Sequence, residues 1–143
     1  MTAISQAIDL TVFADEVDNA LANHVPCVMA TCDDDGHPDL SLKGSVMVFD
    51  NDHLAYLERS HGQSIENLKR NPEVAILYRN SPKRISGWRF YGVAEVHETG
   101  EIRDQIRERS VAREVEKDPD NKGIGVLIRI DRVLDGRHPM QQR

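Results

Sequence analysis

The sequence predicts a mainly β domain with flanking helices, an α+β fold in which six antiparallel strands close, or nearly close, into a barrel. Six short apolar or alternating segments are separated by clusters of turn residues. Most connections between consecutive strands are too short for the crossovers that parallel strands need, so antiparallel pairing is expected to dominate. Helical periodicity is confined to three segments, and six strands with so few helices are typical of a barrel.

Length and charge bound the answer further. The 143 residues are enough for one domain, 1–143, with its core over about 13–134 and a polar, frayed tail over 135–143. The net charge of −6 argues against a broad nucleic-acid surface, so any anion site must be local. No apolar run approaches the roughly 20 residues that span a bilayer. The first ten residues lack the pattern of a secretory signal.

The two cysteines favour a reducing compartment. Cys27 and Cys32 fall in one predicted strand, about 16 Å apart and on opposite faces, which is too far for a disulfide. They are typical of small apolar core residues, and we therefore expect a cytoplasmic protein.

The first half of the chain predicts one helix and three strands. Apolar residues spaced by four, seven and eight predict an amphipathic helix from Phe13 to His24, just before Pro26. The dipeptide Asp35-Gly36 is a hairpin signal within the turn that follows the first strand. The predicted strands are Cys27–Cys32, Leu40–Phe49 and His53–Arg59.

The second half predicts two helices and three strands. A short helix covers Ile65–Arg70, and an amphipathic helix starts at Gly100 with Ile102, Ile106, Val111 and Val115 facing inward. The predicted strands are Val74–Arg79, Trp88–Glu98 and Ile124–Leu134.

The second predicted strand carries an unusual polar face. Ser41, Lys43 and Ser45 share one side at steps of roughly 6.6 Å. Gly44 is disfavoured in mid-strand unless something approaches the backbone closely. This combination suits a planar ligand along the strand, with Lys43 binding an anion or a heterocycle carbonyl. A plain exposed strand is the open alternative. The opposite face holds Leu40, Leu42, Val46 and Val48.

The segment 60–72 joins a strand to a short helix whose N-terminus is left open. The first backbone N–H groups of a helix have no internal partner, and the helix dipole adds positive charge, so such an end suits phosphate. Two alternatives stay open: Ser64 is an ordinary N-cap, and Arg59 forms a surface ion pair with Glu58 or Glu66. The candidate phosphate ligands are Arg59, Ser60, Gln63 and Ser64.

Several catalytic motifs do not occur in the sequence. It contains no HExxH, GxSxG or P-loop pattern, and no GxGxxG after a predicted strand. The six histidines show no metal spacing, and Asp33–Asp35 is more typical of a solvated turn than of a metal site. We therefore expect no metal centre and assign no catalytic dyad.

Six pieces occur in a characteristic order: Cys27–Pro38, Ser41–Val46, Leu54–Leu57, Ser64–Pro72, Val74–Leu77 and Gly92–Val96. The most specific is Asn67-Leu-x-x-Asn71-Pro72 followed by a strand. The ordered set resembles the FMN-binding split β-barrel family named after pyridoxamine 5′-phosphate oxidase. The resemblance covers about Phe13 to Leu134.

The resemblance implies a homodimer with FMN in a groove between the subunits. Ser41, Lys43, Gly44 and Ser45 would line the flavin, and Arg59, Ser60, Gln63 and Ser64 would hold its phosphate. Asn67 would face that site from the helix, and Trp88 and Arg89 match the part of the fold that reaches the partner's flavin. The expected cofactor-binding set is Ser41, Lys43, Gly44, Ser45, Glu58, Arg59, Ser60, Gln63, Ser64, Asn67, Trp88 and Arg89.

The chain also departs from the oxidase. Gln63 stands where the oxidase has a basic residue, and the residues that bind its substrate phosphate have no match. The resemblance thus implies a flavin-dependent oxidoreductase of unknown small-molecule substrate and electron donor, in which the cofactor carries the electrons and Lys43 stabilises the reduced ring. The alternatives are an F420-dependent reductase, a non-enzymatic flavin or haem carrier or sensor, and an interaction module.

Overall fold

Turn residues divide the chain into strands that all pair with their neighbours in antiparallel fashion. The computed structural model describes residues 6–143; residues 1–5, on which part of the secretory-signal prediction rests, lie outside this range. The strands in this range are β1 Cys27–Cys32, β2 Pro38–Lys43, β3 Met47–Val48, β4 His53–Glu58, β5 Glu73–Asn80, β6 Ile85–His97, β7 Ile124–Asp135 and β8 His138–Gln142. The α-helices are α1 Ala14–Asp18, α2 Gln63–Arg70, α3 Glu101–Arg109 and α4 Ala112–Glu116.

These strands form one sheet in the order β2-β1-β5-β6-β7-β4-β3, with β8 beside β7. The order places β2 at one end and β4 with β3 at the other, so the sheet curls but leaves a split between its two edges. The predicted antiparallel barrel with flanking helices is therefore confirmed, with eight strands in place of six. No helix within residues 6–143 is long and apolar enough to cross a bilayer.

The predicted single strand Leu40–Phe49 is wrong. It breaks after Lys43, and the chain turns through Gly44 and Ser45 into the two-residue strand β3. The Ser45 hydroxyl donates to the carbonyl of Leu57 at 3.1 Å and accepts from the backbone N–H of Leu57 at 3.0 Å. These bonds hold the turn against β4. They explain why the chain bends here although its apolar residues alternate as in a single strand.

Both long predicted helices are shorter than expected. The first is a 3₁₀ turn, Leu10–Phe13, continued by the five residues of α1, and His24 ends the segment in the left-handed region at φ 61°. Its apolar positions are nevertheless buried, since Phe13 and Val17 both lie in the core. The helix predicted from Gly100 divides into α3 and α4 because Ser110 has an extended backbone and donates its hydroxyl to the Ile106 carbonyl at 2.7 Å.

The C-terminal tail, predicted to fray, instead forms β8 against β7. The buried side-chain amide of Gln141 explains this order. It accepts from the backbone N–H of Asp9 and donates to the Asp9 carbonyl, each at 2.9 Å. A polar composition therefore did not mean disorder, because the amide bonds to the N-terminal segment.

The core lies inside the curled sheet and is built from alternate residues of each strand. Its largest fully buried side chains include Tyr56, Tyr78, Phe13, Phe90 and Met29. Burial also raises the pKa of the Cys27 thiol to about 12, so this cysteine is uncharged at neutral pH. The expectation that both cysteines are core residues is confirmed for Cys27, whereas Cys32 is only half-buried.

Gly92 lies where the pairing of β6 with β7 shifts by one residue, after Tyr91. A Cβ atom at Gly92 would overlap the backbone carbonyl of Arg129 on the neighbouring strand. Only glycine lets the two backbones approach this closely at the bulge.

We predict that Gly92→Ala lowers the free energy of unfolding by about 2 kcal/mol, because backbone atoms must move apart. Gly87→Ala, in the same strand, meets only the Leu77 side chain at 3.3 Å and should cost less. Urea denaturation of both variants measures the difference. Equal losses would contradict the steric role of Gly92.

Candidate cofactor site

A buried ion pair joins the two edges of the split. Lys43 ends β2 and Glu58 ends β4, and Lys43 Nζ lies 2.7 Å from Glu58 Oε1 with both side chains nearly inaccessible to solvent. Ser64, in the first turn of α2, donates to Glu58 Oε1 at 2.7 Å and accepts from Lys43 Nζ at 3.3 Å. Since no backbone ladder joins β2 to β4 among residues 6–143, these side chains link the two sides of the split, together with the turn that Ser45 bonds to Leu57.

A cavity of about 350 Å³ opens beside this ion pair. Ser41 lines it, and the Ser41 hydroxyl is buried without a hydrogen-bond partner among the described residues. A buried hydroxyl without a partner is costly, and a polar ligand in the cavity would satisfy it. The cavity is lined by Ser41, Leu42, Lys43, Leu57, Glu58, Arg59, Ser60, Glu114 and Lys117.

Tyr56 lies beneath the ion pair inside the barrel. Lys43 Nζ sits 5.3 Å from the centre of its ring, and its hydroxyl is likewise buried and without a partner among residues 6–143. Burial, with the Glu58 charge adding to it, raises the pKa of Tyr56 well above its ordinary value. The phenol is therefore neutral and keeps its proton available for donation.

Glu114 of α4 approaches the cavity from outside the sheet. Its carboxylate accepts from Nε of Arg59 in an ion pair. A Cβ atom at Gly44 would overlap Glu114 Oε1. Gly44 lies in the turn after β2 and not in mid-strand, and the group that approaches it is Glu114, so the packing of a ligand ring on Gly44 stays a prediction.

The start of α2 is open, as predicted, but its cap is not Ser64. The helix begins at Gln63, and Gly62 occupies the N-cap position without a side-chain bond to the helix. The N-cap interpretation of Ser64 is therefore wrong, because its hydroxyl is bonded to Glu58 and Lys43 instead. The first N–H groups of α2 keep the partial positive charge of an uncapped helix end.

Gln63 and Asn67 lie in a different cavity, of about 420 Å³. Asn67 is buried, accepts from Gln63 Nε2 at 2.7 Å and donates to Thr31 Oγ1 at 3.0 Å. The carboxylates of Asp33–Asp35 and Glu66 also line this cavity and outnumber its one arginine, Arg70, so its net charge disfavours phosphate. The structure therefore does not bring Gln63 and Asn67 to the cavity of Arg59 and Ser60.

The aspartate turn contains a group of potential metal ligands, namely Asp33, Asp35 and His37. Asp33 Oδ1 accepts from the backbone N–H groups of Asp35 at 2.9 Å and His37 at 2.8 Å. The backbone hydrogen bond from His37 is the largest influence on the Asp33 carboxyl, and its pKa lies below the ordinary value. These contacts explain the cluster as a self-bonded hairpin turn.

The remaining predicted residues lie apart from the cavity lining. Ser45 is buried, and its hydroxyl already donates one hydrogen bond to Leu57 and accepts one from it. Trp88 packs edge-on against Phe13, with ring centres 4.9 Å apart. Arg89 is exposed on the outer face of β6. A role for Trp88 and Arg89 at a partner's cofactor stays a prediction.

Sequence reasoning missed Glu114 and Lys117, which reach the cavity from a helix about 70 residues after Gly44. Nothing local marks Glu114, because it lies among other charged residues of the connection between β6 and β7. Leu42 was assigned to the apolar side of its strand, yet it lines the cavity. To predict that Leu42 is exposed, one would need to know which face of β2 points outward.

The family that this geometry indicates is identified by comparison with known proteins. The sequence model of the family described as pyridoxamine 5′-phosphate oxidase matches residues 13–133. The chain belongs to this family. A putative pyridoxamine 5′-phosphate oxidase from Lactobacillus delbrueckii is 30% identical, with a TM-score of 0.64, over 82% of this chain and 89% of that one.

Two further solved structures share the fold. HupZ from Group A Streptococcus has a TM-score of 0.70 at 23% identity, over 91% of this chain and 98% of that chain. An FMN-binding protein from Syntrophomonas wolfei has a TM-score of 0.65 at 16% identity, over 87% and 86% of the two chains. No curated protein is significantly similar to the chain.

We predict that Lys43→Met lowers the free energy of unfolding by about 3 kcal/mol, because the Glu58 carboxylate stays buried without its counter-charge. Restoring neutrality in the double variant Lys43→Met/Glu58→Met should recover part of this loss. Urea denaturation measures all three proteins.

The matched control is Lys69→Met, since Lys69 pairs with Glu98 at 2.8 Å on the exposed surface. That change should cost well under about 1 kcal/mol. Equal effects at Lys43 and Lys69, or strict additivity in the double variant, would contradict a closing role for the buried pair.

Proposed function

We propose that the protein binds FMN in the cavity at the split and acts as a flavin-dependent oxidoreductase. The observation that carries the proposal is the buried, unpartnered hydroxyl of Ser41 in a cavity that also holds Lys43 and Arg59. Ser64, in the first turn of α2, contacts the cavity only through its bond with Lys43. Membership of the pyridoxamine 5′-phosphate oxidase family supports the same cofactor class.

The charges of the cavity fit a ligand with a polar ring and an anionic end. Lys43, Arg59 and Lys117 supply positive charge, against the carboxylates of Glu58 and Glu114. The ring end would find donors in Ser41 and Lys43, and the phosphate would find Arg59 and Ser60. The cavity volume of about 350 Å³ falls in the range of small-molecule sites.

Bound FMN would supply the electron or hydride transfer itself, so the chain needs no acid–base dyad. The protein's part is to hold and tune the cofactor. Glu58 and Ser64 fix the position of the Lys43 ammonium, which places a defined positive charge at the wall of the cavity. That positive charge would stabilise a bound ligand in its more negative state.

An exposed apolar face supports the proposal that the protein is a homodimer. Paired residues across the sheet form two rows on its outer surface, which are Leu42, Val28, Leu77 and Arg89, and Leu40, Ala30, Ala75 and Tyr91. Leu40 is 71% exposed and Leu42 is 68% exposed. Large apolar side chains grouped this way mark an interaction surface.

This face is continuous with the cofactor cavity. Leu42 lies in the apolar row and also lines the cavity beside Ser41 and Lys43. A second copy of the chain packed on the row would therefore cover one wall of the cavity. This continuity supports the proposal that the flavin lies between the subunits.

We predict that the purified protein binds FMN with micromolar or better affinity, measured by quenching of flavin fluorescence. Ser41→Ala should weaken binding by about fivefold, the effect of one lost hydrogen bond. Ser86→Ala, on an exposed part of β6, is the control and should bind as the parent does.

Titration with F420 under the same conditions tests the alternative cofactor. If F420 binds more tightly than FMN, F420 becomes the proposed cofactor. If neither binds, the proposal is overturned. Reduction of the bound cofactor by NAD(P)H with rapid reoxidation supports the enzyme, whereas no turnover with any donor supports a carrier.

We predict that Leu40→Glu converts a dimer into monomers, because a carboxylate would be buried in the apolar face. Val12→Glu is the matched control, since Val12 is also an exposed apolar residue but lies outside the face. Analytical ultracentrifugation measures both. A monomeric parent protein, or a Leu40→Glu variant that stays dimeric, would exclude this interface.

A further inference from the structure

Glu114 is a nearly buried carboxylate placed at the anion-binding residues of the proposed cofactor cavity. Its side chain is 9% exposed and forms the ion pair with Arg59. The same carboxylate lies against the backbone of Gly44, where no side chain has room. One group therefore covers both a candidate phosphate ligand and a candidate ring-packing surface.

Hydrogen bonds hold α4 at both ends. The backbone that carries Glu114 is therefore fixed in position. Ser110 ties the preceding turn to α3 through the Ile106 carbonyl at 2.7 Å. After α4, Asp118 accepts from the backbone N–H groups of Lys122 at 2.9 Å and Gly123 at 3.0 Å. Arg107 of α3 donates to the Asp118 carbonyl at 2.8 Å.

With Glu114 in this position, two cations of the cavity lining already have carboxylate partners. Arg59 pairs with Glu114 and Lys43 pairs with Glu58. The two pairs differ, because Lys43 and Glu58 are buried together whereas the Arg59 side chain is 37% exposed. An incoming anion can therefore exchange with Glu114 at Arg59 far more readily than with Glu58 at Lys43.

We infer that Glu114 is an internal competitor for the anion position of the cavity. Its carboxylate and the phosphate of the cofactor bind Arg59 in turn, and Glu114 thereby sets how strongly the site selects phosphorylated flavins. The inference rests on the proposed function for its ligand. It predicts a charge effect on phosphate that a neutral flavin does not share.

The test uses Glu114→Gln, which keeps the size of the side chain and removes its charge. Fluorescence quenching compares FMN with riboflavin, which has the ring and no phosphate. We expect the variant to bind FMN about fivefold more tightly than the parent, the effect of one partly exposed ion pair, and riboflavin with unchanged affinity. Glu116→Gln, an exposed neighbour on α4, is the control and should change neither affinity.

A second measurement does not need a flavin. Inorganic pyrophosphate should raise the melting temperature of Glu114→Gln more than that of the parent protein. If no flavin binds but this difference appears, the proposed function fails and the competition at Arg59 stands.

Unchanged FMN affinity, an equal gain for FMN and riboflavin, or equal stabilisation of both proteins by pyrophosphate would each overturn the competition. Glu114→Ala is the second variant should Glu114→Gln fold poorly. It should show the same preference for FMN over riboflavin.

Discussion

One buried ion pair links the two sides of the split in the barrel. Backbone hydrogen bonds link every neighbouring strand from β2 round to β4, but they do not join β2 to β4 within the described chain. Two sets of contacts make that join: the side chains of Lys43, Glu58 and Ser64, and the turn that Ser45 bonds to the Leu57 backbone. A split closed by side chains leaves space beside it, whereas a backbone ladder would leave none. The cavity opens beside this join, and Lys43 and Glu58 both line it.

Much of the fold was predictable because its signals are local. Turn residues and alternating apolar positions located β1, β4, β5, β6 and β7. The short helix after β4 and its open N-terminus were predicted from the small and polar residues that follow the strand and from a helical pattern that stops before Pro72. The errors arose where distant contacts decide the backbone. Ser45 bonds to Leu57 and so turns a chain that reads as one strand, and Gln141 bonds to Asp9 and so orders a polar tail.

The candidate site was predictable in part, for a related reason. Lys43, Arg59, Ser60 and Ser41 meet at one cavity, as their strands suggested. The faces of β2 were harder to assign, because amphipathic patterns are interpreted on the assumption that apolar residues face the core. Here Ser41 and Lys43 lie on the face of β2 that points to the interior, and Leu40 and Leu42 lie on the face that points outward. The inversion is the expected pattern when an outer face meets another protein surface.

The position of α4 has an evolutionary consequence. The helix belongs to the connection between the antiparallel strands β6 and β7 and contributes no strand to the barrel. Substitutions, insertions or deletions in such a connection leave the backbone ladders of the sheet intact. Descendants of one barrel can therefore diverge in ligand preference by changing a five-residue helix, while the strands that fold the protein are inherited unaltered.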